Sequence, residues 1–99
     1  MRIDTRRDGG LLTVELAGEM DANNAGELVA AVRPELAADV GRIEVRVAEL
    51  GFIDSSGISA LLELHAEMVE RGGSLAVVDP TAPVRRVLEI TGLTEAFQL

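Results

Sequence analysis

The sequence predicts a two-layer α/β domain in the order β-β-α-β-α-β-α. Its mixed sheet has four to five strands, with helices mainly on one face. Three observations carry that prediction. Residues 11–17 and 43–47 alternate apolar and polar side chains, so each segment has one face to bury and one to leave in water. Between them, and again after Ser55, apolar residues recur at the three- and four-residue spacing of amphipathic helices. Strands joined by such helical crossovers run parallel and right-handed, and a polar strand face leaves the helices to cover the other side.

Asp8-Gly9-Gly10 marks a turn between two short runs, because glycine supplies the positive φ of tight hairpin turns. Residues 2–7 and 11–17 therefore form an antiparallel hairpin. In the second strand Leu12, Val14 and Leu16 share one face, and Thr13 and Glu15 share the other. The first strand (Ile3, Thr5, Arg7) is more polar, as an edge strand tolerates. After Gly18-Glu19-Met20-Asp21 the period changes. Ala25, Leu28, Val29, Val32 and Leu36 place a helix over about residues 22–38, with Asp21 as its N-cap. Pro34 falls inside that pattern, removes a backbone donor and crowds the preceding turn, so a kink or break is expected there.

Ile43, Val45 and Val47 alternate with Glu44 and Arg46 in a third strand. A second helix opens at Asp54-Ser55-Ser56-Gly57. It carries the stripe Ile58, Leu61, Leu62, His65, Met68 and Val69, and it stops at Gly72-Gly73. Ser74 to Val78 is a fourth strand. Thr81 caps a third helix with Pro83 in its first turn, running through Val84, Val87, Leu88 and Ile90 to Gly92. The tail, residues 93–99, either adds an edge strand or covers the core. No repeat, linker or low-complexity stretch divides the chain, and residues 1–99 read as one domain.

Composition removes several functions. A net charge of −8 repels phosphate backbones and anionic lipid, so neither nucleic acid nor a membrane is an expected partner. The only aromatic rings besides His65 are Phe52 and Phe97, too few for base-stacking platforms. All nine basic residues are arginine, which excludes Schiff-base and P-loop lysine chemistry. With no cysteine there is no disulfide, thiolate catalysis or zinc cluster, and no cofactor or metal is expected. Met1 to Asp8 lacks an apolar signal-peptide core, so the expected location is the cytoplasm.

The segment Phe52-Ile53-Asp54-Ser55-Ser56-Gly57-Ile58 concentrates the chemical information. Two apolar residues lead into a compact polar turn where a helix begins at once. The first turn of a helix presents unpaired N–H groups and a positive dipole end, a place where a phosphorylated hydroxyl is tolerated. Gly57 there leaves room for a partner to approach the backbone. The plainer reading is a serine N-cap, and the residues alone do not choose between Ser55 and Ser56.

Gly18-Glu19-Met20-Asp21 after the second strand, followed by Phe52-Ile53-Asp54-Ser55-Ser56-Gly57-Ile58, resembles the STAS domain family. More narrowly, it is similar to the bacterial anti-sigma factor antagonists. Gly72-Gly73 before Leu75-Ala76-Val77-Val78, Pro83-Val84-Arg85-Arg86-Val87-Leu88, and Thr91-Gly92-Leu93 extend the resemblance over nearly the whole chain. The resemblance implies a protein without catalysis of its own that works by partner switching. Unphosphorylated, it binds an anti-sigma factor with serine kinase activity and releases the sigma factor. Phosphorylation of Ser55 switches binding off, and a serine phosphatase acting on the phospho form restores it. By position, Asp21, Asp54, Ser56, Gly57 and Ile58 would belong to the partner-binding surface. The expected state is a monomer or weak dimer. Two departures stand out: related sequences often carry a short acidic or amide side chain where Arg46 stands, and many continue into a further helix after the position of Leu99.

Other residues have plainer readings. His65, without a second histidine or any cysteine, reads as core or boundary rather than a metal ligand. Glu63, Glu67 and Glu70 read as a solvated helix side, and Arg85 and Arg86 as solvated or facing an acidic partner. A serine hydrolase would need a Gly-x-Ser-x-Gly elbow and a paired base, and a phospho-aspartate receiver would need a late lysine; both are missing. The alternative that keeps the fold is a STAS subunit of a transporter or signalling scaffold, binding without a phosphorylation cycle.

Overall fold

Which strand faces can be buried decides the architecture. A computed structural model describes all of residues 1–99. β1 (Arg2–Asp8) and β2 (Leu11–Met20) form an antiparallel hairpin. β3 (Arg42–Ile53) runs parallel to β2, and β4 (Ser74–Val78) runs parallel to β3, giving the mixed order β1-β2-β3-β4. Helix α1 (Ala25–Val32) joins β2 to β3, α2 (Ser55–Glu70) joins β3 to β4, and α3 (Ala82–Ile90) follows β4. The element order is the predicted one, with four strands.

Leu12, Val14 and Leu16 of β2, Ile43, Val45 and Val47 of β3, and Leu75 and Val77 of β4 are all buried in one core. Leu28 and Val32 of α1, Leu61, Leu64 and Met68 of α2, and Val84 and Leu88 of α3 belong to the same core. Burying one such leucine or isoleucine contributes roughly 1.5–3 kcal/mol, which drives the layering. The opposite sheet face carries Asp4, Arg6, Thr13, Glu15, Glu44 and Arg46 and has no helix over it. Arg46 lies on that face, its guanidinium 3.5 Å from a Glu44 carboxylate oxygen, and in register opposite Glu15.

Several elements differ from the sequence expectation, each for a local reason. The first helix begins at Ala25 and not at residue 22, and Asp21 is not its N-cap. Instead the Asp21 carboxylate accepts from Asn23 N–H at 2.9 Å, closing a turn ahead of the helix. Pro34 ends the α-helix at Val32, and Arg33–Glu35 tighten into a 3-10 turn. Helix α2 is rotated toward Ala60 and Leu64, both buried, so Val69 of the expected stripe is 56% exposed. Ile90, at the end of α3, is 77% exposed. The tail covers the core: Phe97 is fully buried, its ring centroid 5.7 Å from that of His65 in an edge-on contact.

The third strand runs six residues past Val47, to Ile53. After Val47 the buried positions are Leu50 and Ile53, three apart instead of two. The pairing with β2 slips between Glu15 and Ala17 and again between Gly18 and Glu19, and such bulges shift the alternation. A period-two reading therefore loses the strand at the point where it heads for the serines.

Candidate functional site

β2 and β3 end side by side, with Glu19 opposite Phe52 and Met20 opposite Ile53. The Asp54 N–H donates to the Met20 carbonyl at 3.2 Å, extending the pairing into the turn. Two short polar segments far apart in sequence, 18–24 and 52–57, are thereby brought to one end of the sheet.

The first is held by asparagine. Asn24 accepts from the Asp21 N–H through Oδ1 at 2.9 Å, and its Nδ2 donates to the Glu19 carbonyl at 2.9 Å. Asp21 is half-buried within this loop. Sequence reasoning did not single out Asn24, although Asn two or three residues after a strand-ending aspartate is a recognisable turn-forming signal.

The second segment opens α2. Asp54, not a serine, is the N-cap: its Oδ1 accepts from Ser56 N–H at 2.8 Å and from Gly57 N–H at 3.2 Å. The Ile58 N–H donates to the Asp54 carbonyl at 3.0 Å. Ser55 is left as the first helical residue, exposed, with no hydrogen bond at its hydroxyl or its N–H. Ser56 is half-buried.

Gly57 and Ile58, expected in the partner-binding surface, are buried in the chain on its own. A Cβ on Gly57 would stand 2.6 Å from Ile53 Cγ1 and 3.1 Å from Met20 Cγ. The glycine is required where α2 crosses the ends of β2 and β3. Ile58 belongs to the core. Both residues hold Ser55 in place without reaching solvent themselves.

What does reach solvent is Phe52, 46% exposed beside Glu19, together with Ser55. Phe52 was read only as an apolar lead into the motif; the slip of alternation in β3 turns it outward. The exposed surface thus combines the Phe52 ring, the Ser55 hydroxyl and the acidic groups of Glu19, Asp21 and Asp54.

Ser55 has no base beside it. His65 is ten residues further along the same helix, about 15 Å by helical rise. No three His, Cys, Asp or Glu side chains converge as a metal-binding group. The surface depressions of the molecule lie elsewhere, on the open sheet face around Asp4, Arg6, Glu15 and Arg46. The arrangement suits a docking face carrying a modifiable hydroxyl.

Comparison with known proteins gives the family and the fold. A family model described as "Mlab, STAS domain" matches residues 3–99. The anti-sigma F factor antagonist of Paenibacillus polymyxa is 31% identical over 98 residues, covering 94% of this chain and 80% of that protein. The anti-sigma-B factor antagonist of Bacillus subtilis (strain 168) is 23% identical, covering 100% and 90%. Among solved structures, the anti-sigma factor antagonist SpoIIAA in its unphosphorylated form superposes with a TM-score of 0.84 at 23% identity. It covers 96% of this chain and 84% of that one, a likeness of fold.

Proposed function

The chain belongs to the STAS domain family, and from that premise we propose that it is an anti-sigma factor antagonist controlled at Ser55. In this reading the protein is a binding module and not an enzyme. Its unphosphorylated form docks on an anti-sigma factor with serine kinase activity and frees the sigma factor. A serine phosphatase acting on the phospho form resets the cycle, in the cytoplasm. The observation that supports it best is the exposed, unbonded Ser55 hydroxyl on a turn held by Asp54, while Ser56 is half-buried.

The local electrostatics support an off-switch. A phosphate adds about −1.5 to −2 charges at neutral pH. A helix N-terminus ordinarily welcomes an anion, but the Asp54 carboxylate already holds the Ser56 and Gly57 amides. Of the first-turn amides only the Ser55 N–H would be free for the phosphate, which would sit next to the Asp54 carboxylate on a chain of net charge −8. The added charge must then be desolvated in any interface formed over Phe52 and Ser55, and repulsion opposes docking.

The test is incubation with the cognate ATPase and ATP, followed by intact-mass and tandem mass spectrometry. One phosphate mapped to Ser55, with loss of binding to the anti-sigma factor, is the expected result. No modification by a kinase shown active on another antagonist would instead favour a transporter or scaffold subunit that binds without a phosphorylation cycle.

A further inference from the structure

β1 is the open edge of the sheet. At the other edge the tail lies against β4, where Val77 N–H donates to the Phe97 carbonyl at 3.0 Å. Every residue of β1 except Ile3 is exposed. An exposed edge strand is a template for a further strand unless its side chains prevent it.

The direction of the free backbone groups follows from the hairpin. Gly9 and Gly10 form a two-residue turn with positive φ on Gly9 alone (60°), the pattern of a type II′ turn. In such a hairpin the residues flanking the turn, Asp8 and Leu11, exchange both ladder hydrogen bonds. The regular register then assigns the amides of Arg2, Asp4, Arg6 and Asp8 to β2. Those of Ile3, Thr5 and Arg7 point outward.

The side chains alternate as well. Arg2, Asp4, Arg6 and Asp8 share the open sheet face and change sign at each step. Turned end for end about a twofold axis at Thr5, the strand sets Arg2 opposite Asp8 and Asp4 opposite Arg6, each pair occurring twice. Thr5 meets Thr5, and Ile3 meets Arg7, through the outward amides. The charged pairs fall at non-hydrogen-bonded positions, where facing Cα atoms are about 4.5 Å apart and side chains are closest. A slip of one step either way centres the axis on Asp4 or Arg6. It then sets Asp4 against itself with Arg2 facing Arg6, or Arg6 against itself with Asp4 facing Asp8. The strand therefore attracts its own copy in one register and repels it in the next.

We infer that two copies of this chain associate antiparallel along β1, with the twofold axis at Thr5, into one continuous sheet. The whole-chain charge of −8 opposes approach. However, repulsion beyond about 8 Å is screened at physiological ionic strength, and β1 itself carries three arginines against two aspartates. A single strand pair is small beside the ~1,200 Å² or more of stable complexes, so the dimer is weak and reversible.

Sedimentation equilibrium from about 10 µM to about 1 mM spans the affinities expected of so small an interface. The wild type should shift from monomer to dimer across that range. The pair D4R/D8R makes the open-face row of residues 2, 4, 6 and 8 uniformly positive and R2D/R6D makes that row uniformly negative; each alone should be monomeric, and an equimolar mixture should form heterodimers. Thr5→Pro removes an outward N–H without touching the β2 ladder, and should weaken dimerisation at least about tenfold. Circular dichroism and thermal melting establish that each variant is folded. A wild type that stays monomeric at the top of the range overturns the inference. So does a dimer undiminished in Thr5→Pro, or a mixture no more associated than its components.

Discussion

Two glycines sit inside helices of this chain, Gly26 in α1 and Gly57 in α2, and replacing each with alanine should move stability in opposite directions. The intrinsic effect has the same sign for both: alanine is favoured over glycine by about 0.8–1.0 kcal/mol in a helix interior and by less in the first turn, where both glycines sit. A Cβ at Gly26 meets nothing within 4 Å, so the gain there is unopposed, although its place in the first turn keeps it below the interior value. At Gly57 the new carbon lies 2.6 Å from Ile53 Cγ1, 3.1 Å from Ile53 Cδ1 and 3.1 Å from Met20 Cγ. Cγ1 is near the root of a stiff β-branched side chain and has little freedom to retreat. Overpacking of this kind costs about 1–3 kcal/mol, so the net loss is about 1 kcal/mol. For a domain of this size that lowers Tm by roughly 4–8 °C, while Gly26→Ala should raise it by a smaller amount. Thermal and urea unfolding with an unchanged m-value provide the assay. A Gly57→Ala protein as stabilised as Gly26→Ala would refute the packing of α2 across the ends of β2 and β3, and with it the mounting of Ser55.

Further outcomes follow from the same geometry. Asp54→Ala removes the acceptor of two first-turn amides and should cost about 0.5–2 kcal/mol, whereas Asp54→Asn, which keeps a capping oxygen, should cost clearly less; equal Tm losses would contradict the cap. Ser55→Ala should keep its affinity for the anti-sigma factor and Ser55→Asp should lose it, measured by calorimetry. A folded Ser55→Asp protein of unchanged affinity would remove the charge mechanism. Phe97→Ala empties a fully buried site and should cost about 3–5 kcal/mol. A loss within about 0.5 kcal/mol, the size usual for surface changes, would mean that the tail does not seal the core.

The order of elements was legible because each segment carries its own period. Leu12, Val14 and Leu16 alternate whether or not the rest of the chain is present, and Pro34 interrupts a helix through its own ring. The motif around Ser55 was legible as a turn for the same reason. Val69 and Ile90 misled, because a stripe of apolar residues tells that a helix has a buried side but not how far it rotates against the sheet. The second half of β3 was lost because bulges changed the spacing of buried residues from two to three. The packing of Gly57 against Ile53 and Met20 was not legible, since nothing in the sequence says which neighbour fills the space beside a glycine.

By itself, then, the sequence determined the alternating order, the one-sided helical cover and the placing of two serines at a helix start, all consequences of local periodicity and backbone preference. It took the packing of distant segments to make Asp54 the cap of α2 with the Ser55 hydroxyl unbonded, to turn Gly57 and Ile58 inward, and to turn Phe52 out. Those outcomes depend on how β2 and β3 pair across about thirty intervening residues. The register of that pairing is a property of the packed sheet, set by the summed fit of both strands and the helix above them.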